Sequence, residues 1–311
     1  MTMAFDLERF YRELDAHYAA HDNREVEKFF RKSQEAAYNS GMAFPANDGC
    51  PSCVPELKPN MEYVAVCNEM ACFYRGLSRF TESLETFELA KKELESLYCQ
   101  NTVEYATVLL NMAGTYRYMK ETDCALKYFT DAAKILEQQK DSPSSVLAGL
   151  YNNIGLVYLD RQEPGQAIGY FEQALSLVSA APEQIVELGT TWNNLAVGYD
   201  ALGKQTEAKM AVQNAVAILS ELDDGVNPHY PAALNTRGTF AYRAGEYDQA
   251  LADFTQALEK TKLVYGENIE YTYGCDNCAA VCKMLGHSEE AEQWARLGST
   301  VRERLMKTNS R

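Results

Sequence analysis

The chain has 311 residues, with 29 basic against 44 acidic side chains and a formal net charge of −15, a field that repels nucleic acid and anionic lipid surfaces and favours cationic or neutral partners. Nine cysteines, an odd number placed mostly inside helical patterns, suit a reducing compartment better than a disulfide framework. Asp6, Glu8 and Arg9 interrupt any signal-peptide core and no later run approaches a membrane span, so the expectation is a cytoplasmic protein with no membrane or nucleic-acid partner.

Residues 1–40 read as a short helix pair. Leu7, Tyr11, Leu14 and Tyr18 form the first apolar stripe, and Val26, Phe29, Phe30 and Ala37 the second. The pair is either a degenerate repeat or an N-terminal cap. Residues 41–60 carry four prolines and the segment Asp48-Gly49-Cys50-Pro51-Ser52-Cys53, which reads as a loop or linker. Cys50 and Cys53 have the spacing of half a zinc site or of a dithiol pair, and His17 and His21 supply the complementary ligand types. The reading taken is free thiols and no metal, because two separate spacings must coincide in space to make a site.

From residue 61 onward the chain is organised by two columns of small residues. Ala71, Ala113, Gly155, Ala196, Gly238 and Ala279 are separated by 42, 42, 41, 42 and 41 residues, and Ser83, Ala125, Ala167, Ala208, Ala250 and Ala291 follow them at a constant twelve. Registered small residues let pairs of helices cross closely, so the expectation is six helix-turn-helix units over residues 61–305 and a short tail over 306–311. In the third unit Tyr151, Ile154, Gly155 and Tyr158 make one face, Ala167, Phe171 and Ala174 the partner face, and Pro164-Gly165 a breaker pair between them. Gly203, Gly245 and Gly286 recur at the later turns, where a left-handed residue ends a helix. The fifth unit has Arg237 and Ala241 at apolar positions, with Phe240 to fill the gap. The sixth has Cys275, Cys278 and Cys282 on its core stripe, where cysteine acts as a small hydrophobe. Glu289, Glu290, Glu292, Arg296, Arg302 and Arg304 suit the outer face of a terminal cap.

The fourth unit, Trp192, Leu195, Ala196 and Tyr199 followed by Ala208, Val212 and Ala215, resembles the tetratricopeptide repeat, as does the second, Leu109, Met112, Ala113 and Tyr116 followed by Ala125, Phe129 and Ala132. The step of 41 to 42 and the Asn-Asn-Leu-Ala at Asn193 to Ala196 are similar to the repeats of kinesin light chains, without the amino-terminal heptad stalk of those proteins. The resemblance implies an all-α, right-handed superhelical solenoid whose concave groove binds extended peptides.

No serine elbow, HExxH helix or dinucleotide fingerprint occurs, and Gly198 to Lys204 fails as a phosphate loop because Gln205 stands where Ser or Thr is needed. The expectation is therefore a non-enzymatic protein without cofactors. Asn111, Asn153, Asn194 and Asn277 occupy one register of the first helix, and Asn68, Asn152, Asn193 and Asn235 the position before it. Asparagine inside a helix costs ~0.6 kcal/mol relative to alanine, and an amide can both donate to and accept from a peptide backbone. Binding of a peptide is the favoured reading; hydrogen bonding between successive helices is the other. Arg75 and Arg117 share a further register, which Tyr242 occupies in the fifth unit, and either form an anion site facing the groove or are ordinary surface charge. The functional expectation is a peptide- or protein-binding adaptor or sensor. The runner-up is a scaffold for self-association, followed by a metal- or thiol-dependent activity at Cys50 and Cys53.

Overall fold

The computed structural model describes residues 5–20, 22–41, 60–96, 98–139, 144–179, 183–222, 227 and 229–309. Among these residues the chain forms fourteen helices and no strand. It divides into two compact units, Met1–Ser142 and Pro143–Arg311. The boundary falls within the repeated region rather than at residues 41–60.

The first unit contains α1 (Leu7–Ala19), α2 (Asn23–Gly41), α3 (Met61–Gly76), α4 (Phe80–Ser96), α5 (Val103–Tyr118) and α6 (Thr122–Gln138). The buried stripe of α1 is Phe10 and Leu14, with Phe10 stacked on Phe29 at 5.5 Å. Tyr11 and Tyr18, expected on that stripe, are about 40% exposed. Leu14 is buried as expected, while Phe10, packed against Phe29 and Phe30, takes the place on that stripe expected of Tyr11. Asn60 caps α3 by accepting from the Tyr63 N–H at 2.9 Å, and its Nδ2 donates to the Ala37 carbonyl of α2 at 2.7 Å. Glu27 of α2 accepts from Arg79 at 2.7 Å, from Arg31 at 2.8 Å and from the Tyr74 hydroxyl at 3.2 Å. These donors, Arg79 foremost, hold its carboxyl down to about 2.

The second unit contains α7 (Ser144–Asp160), α8 (Pro164–Val178), α9 (Ile185–Ala201), α10 (Gln205–Ser220), α11 (His229–Ala244), α12 (Tyr247–Tyr265), α13 (Ile269–Leu285) and α14 (Ser288–Asn309). Its hairpins close through the small-residue columns. A Cβ added at Gly155 would overlap the Phe171 ring, and one at Gly238 would lie 2.8 Å from Phe254. Phe171 is fully buried and also reaches the position of a Cβ at Gly198, at 3.6 Å, so the ring sits between its own hairpin and the next first helix. Phe240 packs against the neighbouring Ala167–Val212 core cluster, and Arg237 pairs with buried Asp253 at 2.6 Å.

All six tight turns share one geometry. Ser78, Lys120, Gln162, Gly203, Gly245 and Gly286 have φ between 59° and 79°. The next residue donates its N–H to the carbonyl five positions back, as in His287 to Cys282 at 2.8 Å and Glu163 to Tyr158 at 2.8 Å. Pro164 and Gly165 therefore do not make the turn: Pro164 opens α8, where its missing N–H costs nothing, and Gln162 takes the left-handed position. Cys275, Cys278 and Cys282 are buried, and burial pushes the Cys275 thiol up to about 11 and the Cys278 thiol up to about 12. On α14, Glu289, Glu290, Glu292 and Arg296 are exposed. Arg302 and Arg304 instead pair back to Asp276 at 2.7 Å and Glu267 at 2.6 Å.

Candidate functional site

Within the second unit α7 touches α9 and α9 touches α11, while no contact of comparable extent joins α8 to α10 or α10 to α12 among the described residues. The first helices α7, α9 and α11 thus form a tighter row than their partner helices, on the inside of the curve of that stretch. In the first unit α3 touches α5 in the same way. Part of the row is open: a Cβ added at Gly149, on the face of α7 opposite its partner helix, meets nothing within 4 Å.

The asparagine registers lie along these rows, and most of the amides are engaged with one another. Asn111 Nδ2 donates to Asn68 Oδ1 at 2.9 Å. Asn194 Nδ2 donates to Asn152 Oδ1 at 3.1 Å, and Asn152 Nδ2 donates in turn to the Thr191 hydroxyl at 2.8 Å. Both Asn152 and Asn194 are buried. Asn153, half-buried beside Gly149, donates only within its own helix, to the Gly149 carbonyl at 2.9 Å. Asn193 and Asn235 are half-buried, and their Oδ1 atoms are buried with no donor in reach. Asn277 is half-buried on α13.

The two arginines of the shared register stand in different surroundings. Arg75 donates from Nη1 to the Asn111 carbonyl at 3.0 Å, bridging α3 to α5, and Arg117 is half-buried in the last turn of α5. Tyr242 packs edge-on to Tyr247 at 5.7 Å and against the core around Phe254, because its helix position faces the adjoining α12. Of the metal ligands considered in the sequence, His17 lies 4.7 Å from the Phe29 ring, while His21, Cys50 and Cys53 lie outside the described residues. Among the described residues no cluster of three or more His, Cys, Asp or Glu could hold a metal ion, and no helix is long and apolar enough to cross a membrane. The pair Arg237–Asp253, the acceptor Thr191 and the left-handed Ser78, Lys120 and Gln162 were missed from the sequence. The turn residues alone had a usable signal, since they fall 42, 42 and 41 residues before one another and Gly203.

Family models for the tetratricopeptide repeat match residues 146–221 and 232–268, on helices paired and registered as that repeat requires. The chain is a tetratricopeptide-repeat protein. A model described as anaphase-promoting complex subunit 5 matches residues 69–150 of the same repeat protein. No curated protein sequence matches the chain. Solved structures similar to it include BtubC (BKLC) from P. vanneervenii, with TM-score 0.61 and 18% identity over 73% of this chain and 92% of that one. A Rap protein complexed with competence and sporulation factor has TM-score 0.58 and 14% identity over 97% of this chain and 98% of that one. A signal transduction ATPase with numerous domains from Pyrococcus horikoshii, which has a tetratricopeptide repeat sensor, has TM-score 0.62 and 14% identity over 91% of this chain and 42% of that one. At these identities the likeness is one of fold.

Proposed function

We propose that this repeat protein is a non-catalytic adaptor or sensor that holds an extended peptide or the tail of a partner protein along its row of first helices. The observation that carries the reading is the inner face of α7 and α9, where open space at Gly149 adjoins Asn153 and the donor-less Oδ1 of Asn193 lies one hairpin further on. A side-chain amide can both donate and accept, so the parts of Asn153 and Asn193 that stay exposed can pair with a peptide backbone. Contact to the ligand is assigned to Asn153, Asn193 and Asn277. Asn111, Asn152, Asn194 and Arg75 serve instead to hold successive helices in register, because their polar groups are already paired across helices. The similar Rap fold holds the competence and sporulation factor, which supports a bound-ligand reading.

Screening the full chain against an extended-peptide array, then measuring hits by fluorescence anisotropy, tests this. Asn153→Ala with Asn193→Ala should weaken a true ligand by about 1–2 kcal/mol per lost contact. Hits unaffected by both changes, or self-association as the sole interaction seen by light scattering, would overturn the reading.

A further inference from the structure

Three interfaces between first helices carry asparagine at the same two registers: Asn68 with Asn111, Asn152 with Asn194, and Asn235 with Asn277. The first two pairs are closed by direct amide bonds of 2.9 and 3.1 Å. The third is open. Asn235 Oδ1 is buried without a donor, and α11 and α13 make no contact comparable to that of α7 with α9. A cavity of about 540 Å³ lies between them, with both asparagines in its wall.

The chemistry of that wall is one-sided. Its only full charge is the carboxylate of Glu270, which is exposed and in no ion pair among the described residues, and no lysine or arginine borders the cavity. Tyr273 offers an aromatic ring that is 58% exposed, and Leu258 from α12 supplies an apolar floor. Burial lowers the pKa of His229, so its imidazole stays neutral and adds no repulsion toward a cation. A carboxylate, an aromatic face and an apolar floor together match a side chain with a methylene stem and a cationic head.

We propose that the cavity between α11 and α13 receives a lysine or arginine side chain of the bound peptide, its stem over Leu258 and its head between Glu270 and the Tyr273 ring. The proposal rests on the inner-face reading above and adds to it a requirement on the ligand's sequence. Opposite charge on a protein of net charge −15 favours the same ligand over an acidic one.

The test uses the full chain and four blocked amino acids, the N-acetyl methylamides of arginine, lysine, norleucine and glutamate, followed by NMR of side-chain amides and tyrosine rings. Expected are saturable shifts at Asn235 and Tyr273 with a basic derivative, at least fivefold weaker binding of norleucine, and none of glutamate. Glu270→Gln, an exposed change whose unaltered melting temperature confirms folding, should weaken the basic derivative about fivefold. Equal shifts with norleucine, shifts confined to other residues, or insensitivity to Glu270→Gln would each overturn the site. A peptide from the array whose affinity depends on Asn153 and Asn193 but survives loss of every basic residue would sink this proposal and leave the inner-face reading standing.

Discussion

Gln162 stands at φ 62°, in the turn position that Gly203, Gly245 and Gly286 occupy in later repeats. A side chain in the left-handed region costs on the order of 1–2 kcal/mol, of which glycine's extra unfolded-state freedom returns part. Gln162→Gly and Lys120→Gly should each therefore raise stability by about 0.5–1 kcal/mol, read by urea unfolding, whereas Gly203→Ala should lower it. The asparagines divide by the same kind of local reasoning. From helix propensity alone, replacing Asn153 and Asn194 by alanine stabilises the chain by up to ~1 kcal/mol. The structure keeps that expectation for Asn153, on its open face, and reverses it for Asn194. Asn194→Ala leaves Asn152 Oδ1 buried with no donor, so it should cost about 1–3 kcal/mol, and melts of the two single variants should move in opposite directions.

Hairpins are held by shape and by a few buried charges. Phe171→Ala should cost about 3–5 kcal/mol, because the ring fills the crossing of α7, α8 and α9 and the backbone at Gly155 cannot collapse into its place unaided. Gly155→Ala approaches the same contact from the other side and should cost about 1–3 kcal/mol by overpacking. At the fifth repeat, Asp253 is 1% exposed and bonded to both Arg237 and Gln249. Asp253→Ala should cost about 2–4 kcal/mol, somewhat below the fully buried range since Arg237 keeps some solvent, while Arg237→Leu with Asp253→Ala should recover most of that loss. A double-mutant cycle measures both. On α2, Glu27 titrates at about 2 when folded, below an ordinary carboxylate. A depressed carboxylate stabilises the fold above its unfolded pKa and stops doing so as pH falls through the folded one. Wild-type stability should therefore drop between about pH 4.5 and 2 by an amount that is missing in Glu27→Gln, seen as a flatter acid limb in melting temperature.

At the scale of the whole molecule, the net charge of −15 favours the approach of a basic over an acidic peptide. Attraction of a basic peptide is long-ranged at low salt, where the Debye length is about 30 Å, and confined to near contact at physiological salt, where it is about 8 Å. Association rates of a lysine- or arginine-bearing ligand should fall severalfold between those conditions by stopped-flow, with dissociation rates nearly constant. A neutral peptide that bound equally fast at both would remove charge from the account of recognition.

The helix pairs, the glycine turns at Gly203, Gly245 and Gly286 and the columns where helices cross were legible in the sequence, because each depends on residues close together in the chain or repeated at a fixed step. The turns at Ser78, Lys120 and Gln162 carry no glycine to mark them. Ala71 to Ala279 needed only counting, and the absence of catalytic motifs needed only reading. The partners of the polar groups were not legible. Asn152 with Asn194 and Asn235 with Asn277 share registers and a 42-residue step, yet one pair is closed and the other stands open beside a cavity. Amide bonding changes from full strength to nothing within about an ångström, and that separation is fixed by how every intervening side chain packs. Periodicity therefore determined which residues share a register on the first helices, and only the tertiary structure decided which of them are already paired and where open space remains beside them.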